Sequence, residues 1–291
     1  MTRASTLALL LSGCVARAPA HAAPAPTLTV ATYNLNYGIA GDPATMATLA
    51  SSEADVLLLQ EVSPAWRRAL RRELAARWPH RCVARSEWPA GGAAILSREP
   101  LRACARSSSP VGFFPAIAAT VDTAVGSVRV VGIHLRPARA GLGVLEDLPE
   151  LPSDHRAELA AHLAALVDPA LPTVFAGDFN EGDGEGAVGE LATRGYASAL
   201  AENAPDAATW RWPLLLMSIE KRLDHVLYDP RRLRCVDARV LRGGRSDHFA
   251  VVARFAPTPT RPSTSRVSSG LHSNGVAIRG RSIGAWLPQI E

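Results

Sequence analysis

With 291 residues and 47% hydrophobic content, the chain can bury a full core, as one large α/β domain or two small ones. The formal charge of +4 and pI near 9.2 suggest a nucleic-acid partner, but the excess lies at the two ends, in Arg3, Arg17, Arg261, Arg266, Arg279 and Arg281. The span Thr27–Phe255 is close to neutral, its mature part has no apolar run of bilayer-spanning length, and no cysteine pair has zinc-site spacing, which argues against a helical membrane protein and a thiolate metal site.

Arg3 and the apolar run Ala4 to Leu11 read as a targeting leader. Leu11-Ser-Gly-Cys14 resembles a bacterial lipobox, with acylated Cys14 as the new N-terminus and a membrane anchor. Ala20-His-Ala22 offers a rival cut for ordinary secretion, and either route exports the protein. Residues 1–26 are thus expected to be leader and Ala/Pro linker, 27–255 the folded domain, and 256–291 a disordered tail rich in Pro, Ser, Gly and Arg. Cys82, Cys104 and Cys235 remain after lipidation; a Cys82–Cys104 bridge is one option that the sequence alone does not establish.

Leu28 to Asn34 alternates as a strand, with Asn36 on the face of Asn34. Asp42-Pro43 is a helix start, cap then proline. Asp55-Val-Leu-Leu-Leu-Gln-Glu61 is a continuous apolar strand, expected to be central and covered on both faces. Ser63-Pro64 begins a helix whose Arg67, Arg68, Arg71 and Arg72 share one side; a solvated face is expected there rather than a phosphate-binding patch. Gly91 to Arg98 and Ser127 to His134 are further strands. Ser153 is expected to cap a helix from Asp154 to about Val167, with Leu159, Leu163 and Leu166 inward, and with His155 and Arg156 structural. Thr173 to Ala176 is a buried strand leading into Gly177-Asp-Phe-Asn180, and a short helix ends at Gly195. Trp210 to Met217 is an apolar stretch expected to pack in the core. Leu223 to Tyr228 and Phe249 to Phe255 complete the strands.

Strands that finish on Asn34, Glu61, His134 and Asp178 with Asn180, and strands that begin on Asp224 or after Asp247-His248, would bring all these groups to one rim of a mixed arrangement. Independent Asx turns would not produce that convergence. Oxygen ligands of this kind suit a hydrated hard cation, and histidine beside a carboxylate suits proton transfer near neutral pH.

The segments Thr32-Tyr-Asn-Leu-Asn36, Leu59-Gln-Glu-Val62, Ala93 to Arg98, His134, Gly177-Asp-Phe-Asn180, Leu223-Asp-His-Val226 and Ser246-Asp-His248 resemble the endonuclease/exonuclease/phosphatase superfamily, from about Leu28 to Phe255. The resemblance implies an α/β fold, a four-layer sandwich of two mixed β-sheets flanked by helices. It also implies hydrolysis of phosphate esters with a divalent metal, Mg2+ or Mn2+. It makes Glu61 the principal metal ligand with Asn34 and Asp247 nearby. Asp178 and Asn180 would orient the attacking water and the phosphate. His248 would be general base or phosphate-polarising cation, with Asp224 orienting its ring. His134 would be the second histidine, as in the deoxyribonuclease-like and sphingomyelinase-like branches, with Glu87 as its loosely aligned acidic partner.

The expected activity is an exported phosphodiesterase, with a nucleic acid or a phospholipid head group as substrate, acting as a monomer. A nuclease and a phospholipid phosphodiesterase or phosphomonoesterase both remain open. The near-neutral domain weakens the first, while a lipid anchor and Trp210–Met217 favour a membrane substrate. A non-catalytic surface protein on the same fold is disfavoured by the complete set of polar strand ends. A basic nucleic-acid-binding tail on an inert domain is disfavoured because the tail's one aromatic residue is Trp286.

Overall fold

The computed structural model describes residues 25–138, 150–213 and 217–259. The lipobox, the rival cleavage site and nearly all of the expected tail lie outside the described residues. Two six-stranded sheets form the frame. The first has β1 (Leu28–Asn34), β2 (Val56–Gln60), β3 (His80–Ala84), β4 (Ala93–Ser97), β13 (Leu233–Leu241) and β14 (Ala250–Pro257), in the order β13-β14-β1-β2-β4-β3. The second has β5 (Leu101–Ser107), β6 (Ala116–Thr123), β7 (Gly126–His134), β8 (Thr173–Asp178), β9 (Ala197–Ser198) and β12 (Asp224–Tyr228), in the order β5-β6-β7-β8-β12-β9. β1 with β2 and β7 with β8 pair in parallel, whereas β14 beside β1 and β12 beside β8 run antiparallel, so both sheets are mixed.

Period-two burial explains the layers. Val56 and Leu58 face the second sheet in a core shared with Val30, Ile95, Val130 and Val226. Leu57 and Leu59 face outward onto Trp66 and Trp78, under the helices Pro43–Ser51 and Pro64–Leu74. On the far side, Val131 and Phe175 pack against Leu159 and Leu191 of the helices Leu151–Leu166 and Gly186–Thr193. The result is a four-layer α/β sandwich. The expected helix starts also form: Asp42 accepts from Thr45 N–H and Ser63 from Trp66 N–H, each followed by proline in the first turn.

Three expectations change. The helix expected from Asp154 begins at Leu151, and Ser153 lies inside it with its hydroxyl donating to Glu150 O, so it does not cap it. The described part of the stretch Trp210 to Met217 is not core: Trp210–Pro213 (β10) pairs with Ser218–Lys221 (β11) outside both sheets, and Trp212 and Met217 are exposed. The strands β3, β5, β6, β9 and β13 join those read from sequence; β5 and β13 are edge strands with exposed arginines, which mask their period.

One covalent link and one close approach hold the strands in place. Cys82 on β3 and Cys104 on β5 are disulfide-bonded with Cα atoms 5.9 Å apart, tying one sheet to the other. Closing a loop over a sequence separation of 22 residues stabilises the fold by about 3 kcal/mol in the chain-entropy account. Gly177 is needed because β7 and β8 approach so closely that a Cβ there would lie 1.9 Å from the Ile133 carbonyl oxygen.

Candidate functional site

The parallel register sets the first half of the site. Asn34 is paired with Gln60 across β1 and β2, so both strands run out at the same edge and Glu61 follows one residue later. In the second sheet His134 is opposite Asp178, and Asp178 is opposite Asp224. β12 and β14, running the other way, start where the others finish, and Asp247 and His248 immediately precede β14.

The side chains then meet. The Asn34 amide nitrogen donates to Asp178 Oδ2 at 3.0 Å and to Glu61 Oε1 at 3.2 Å, linking the two sheets. His248 Nδ1 lies 2.9 Å from Asp224 Oδ2, and its Nε2 lies 3.5 Å from Asp178 Oδ2. His134 Nε2 approaches the same Asp178 oxygen at 3.7 Å. Asn180 is held by its own N–H on Asp178 Oδ1 and by its amide nitrogen donating to Leu135 O. Asp247 stands slightly apart, accepting from the Asn36 amide at 3.1 Å and the Trp210 indole N–H at 3.2 Å. All eight residues singled out from sequence therefore converge at one rim. Glu87 does not: it is exposed, and the carboxylate beside His134 is that of Asp178.

Several contributors escaped the sequence. The ring of Phe114 stacks on His134 with centroids 3.9 Å apart. Ser246 Oγ donates to Asn34 O and accepts from His248 N–H, fixing the approach to β14. Thr209 Oγ accepts from the Asp224 N–H at the start of β12. Glu181 Oε2 lies 2.6 Å from His155 Nδ1, and His155 Nε2 reaches Arg136 O, so His155 is a buried tie beneath the rim. Backbone strain was the unread signal: Asn36, Glu61 and Asn180 all have φ between 52° and 57°. Asparagine tolerates that region, but glutamate rarely adopts it, and such outliers cluster at functional sites.

Electrostatics separate the two histidines. Burial holds His134 down to about 4 despite nearby Asp178, so it is neutral. Burial also opposes protonation of His248, but the Asp224 and Asp178 carboxylates outweigh it and raise it to about 10. Burial raises Glu61, against the N–H of Tyr37 and the amide of Asn34; it raises Asp178 as well, against His248. Asp224 Oδ1 is buried without a hydrogen-bond partner. Carboxylates held above their usual range and an orphaned oxygen are the environment a divalent cation relieves, and a mainly oxygen donor set suits a hard ion. Among the described residues, ligand atoms of Asp178, Asp224 and His248 lie within 4.8 Å of one another. Glu61, Asn34 and Asp247, the ligands the resemblance implies, bring further carboxylate and amide oxygens to the same rim.

A sandwich that gathers buried carboxylates and two histidines at the ends of both sheets is the arrangement of a phosphoester hydrolase. The chain belongs to the endonuclease/exonuclease/phosphatase family, whose model matches residues 31–248. The divalent-metal dependence of that family agrees with the donor set. The fold is similar to that of an endonuclease/exonuclease/phosphatase from Beutenbergia cavernae DSM 12333, with TM-score 0.62 and 21% identity over 80% of this chain and 72% of that one. D. rerio TDP2 complexed with single strand DNA product superposes with TM-score 0.57 at 15% identity, over 79% of this chain and 98% of that one. Sphingomyelinase C from Streptomyces griseocarneus gives TM-score 0.56 at 20% identity, over 79% and 99%. No curated protein matches the chain.

The two histidines should leave opposite marks on stability. The proton held by His248 stabilises the metal-free fold fully below its ordinary value of 6.5, and that contribution is lost as pH rises toward about 10. His134, depressed from 6.5 to about 4, contributes stability above 6.5 that is lost as pH falls toward 4. Thermal unfolding in chelator should therefore show an alkaline loss that is reduced in His248→Gln and an acid loss that is reduced in His134→Gln. Unchanged slopes in both variants would show the pairing to be wrong.

Proposed function

We propose that the chain is an exported, Mg2+- or Mn2+-dependent phosphodiesterase that cleaves by in-line attack of water. The observation that carries this reading is the single Asp178 oxygen shared by the Asn34 amide and both histidines. Glu61, with Asn34 and Asp247, would hold the ion, which when bound supplies charge neutralisation at the phosphate. Asp178 and Asn180 position the attacking water and a phosphate oxygen. His248, held as a cation with its Nδ1–H on Asp224, has a proton to give at Nε2, and neutral His134 under Phe114 has a ring nitrogen free to take one from the water. For bis(4-nitrophenyl) phosphate, chelator should abolish hydrolysis and added Mg2+ or Mn2+ restore it. His248→Ala should lower kcat by roughly 10²- to 10⁴-fold. Full turnover in chelator, or an active His248→Ala, would contradict the reading.

Export is supported by the leader and by the Cys82–Cys104 bridge, which suits an oxidising compartment. In a bacterial host, radiolabelled palmitate should enter the full chain but not Cys14→Ser. An unlabelled, secreted wild type would support cleavage after Ala22 instead.

Neighbours named for a single strand DNA product and for sphingomyelinase C mark the two substrate classes that this fold serves. The β10–β11 hairpin exposes Trp212, Met217 and Ile219 and is fastened to the site through Arg211 N–H on Asp247 O, an apolar surface that either class of substrate would pass.

A further inference from the structure

Beyond the reacting centre, Phe114 carries its contact with His134 into the wall of a cleft of 570 Å³. Arg67, Arg85 and Arg106 line that cleft, with Glu87 its one carboxylate. Arg67 and Arg85 also line a neighbouring hollow of 270 Å³, together with Arg71 and Arg81, so the two depressions share a basic wall. Among the described residues none of these five arginines has a salt-bridge partner, and Arg67 Nη1 is buried without a hydrogen bond. Elsewhere on the surface Arg102, Arg194, Arg239 and Arg242 are each paired with a carboxylate. The arginine side of the helix Pro64–Leu74, expected from sequence to be a merely solvated face, thus borders a concave path leading to the site.

Aromatic rings stand in the same path. Trp88 is 65% and Phe113 55% exposed, and their rings stack with centroids 6.2 Å apart and planes 28° apart. Unpaired cations in a concave track ask for a chain of phosphates, and exposed ring faces ask for flat, uncovered partners. A duplex offers the phosphates but hides its base faces. A phospholipid head group offers one phosphate and no ring. A single strand offers both at once.

We propose that this cleft binds single-stranded nucleic acid, its phosphates along Arg67, Arg85 and Arg106 and its bases on Trp88 and Phe113, and feeds it to the Asp178 centre. The inference rests on the phosphodiesterase reading and names its substrate class. Binding of a short fluorescein-labelled oligothymidylate to the full chain, followed by anisotropy in chelator, tests it without any need for turnover. Trp88→Ala with Phe113→Ala should weaken binding roughly 10- to 100-fold. Arg67→Gln with Arg85→Gln should reduce the slope of log affinity against log salt by roughly 1.4. Thermal unfolding confirms that each variant is folded, and single substitutions replace any double variant that is not. Equal binding by the wild type and the folded variants would overturn the proposal. So would tighter binding of a duplex of the same length, or a loss in the variants of phosphatidylserine-vesicle binding alone. Wild-type hydrolysis of bis(4-nitrophenyl) phosphate, run alongside, keeps the two ideas apart. Hydrolysis without cleft binding sinks only the cleft; cleft binding without hydrolysis sinks the phosphodiesterase reading.

Discussion

One buried carboxylate, that of Asp178, organises the molecule. It sits at the end of β8, accepts from an amide supplied by the other sheet, and lies between two imidazoles. Burying an ionised carboxylate is costly unless neighbours compensate, and here Glu61 and Asp224 are crowded into the same rim. The fold tolerates this because the Cys82–Cys104 bridge ties the two sheets together, while Gly177 lets β7 and β8 close up within the second.

The asymmetry of the histidines follows from that carboxylate's geometry. His248 touches Asp224 as well as Asp178 and is held as a cation; His134 has only the more distant contact with Asp178 and an aromatic ring over its face. Two chemically alike side chains thereby take on different protonation states within one site. That division of labour is what cleavage of a diester requires, since one oxygen must gain a proton while a water loses one.

Much of this was legible in the sequence because it lay in strands. The apolar run Val56–Gln60 marked a central strand, and Asn34, His134 and Asp178 fall at strand ends that the alternation itself defines. What was not legible came from tertiary approach. Phe114 precedes β6 in a loop with no period; Ser246, Thr209 and Trp210 act through backbone or single hydrogen bonds; and Glu181 meets His155 only after the helix Leu151–Leu166 docks. Trp210–Met217 misled because a hairpin that lies outside both sheets has the same apolar composition as a buried one. The arginines of Pro64–Leu74 do lie on a solvent-facing side, as their period implies, but a helical period shows which residues share a face and not what that face borders.

The central claim is that Glu61, with Asn34 and Asp247, holds one cation at the rim where the two sheets meet. Calorimetric titration of the full chain with Mn2+ tests it most directly. The account predicts one site per chain, severely weakened in Glu61→Gln and unaffected in Glu87→Gln. Binding of undiminished strength in Glu61→Gln would contradict it.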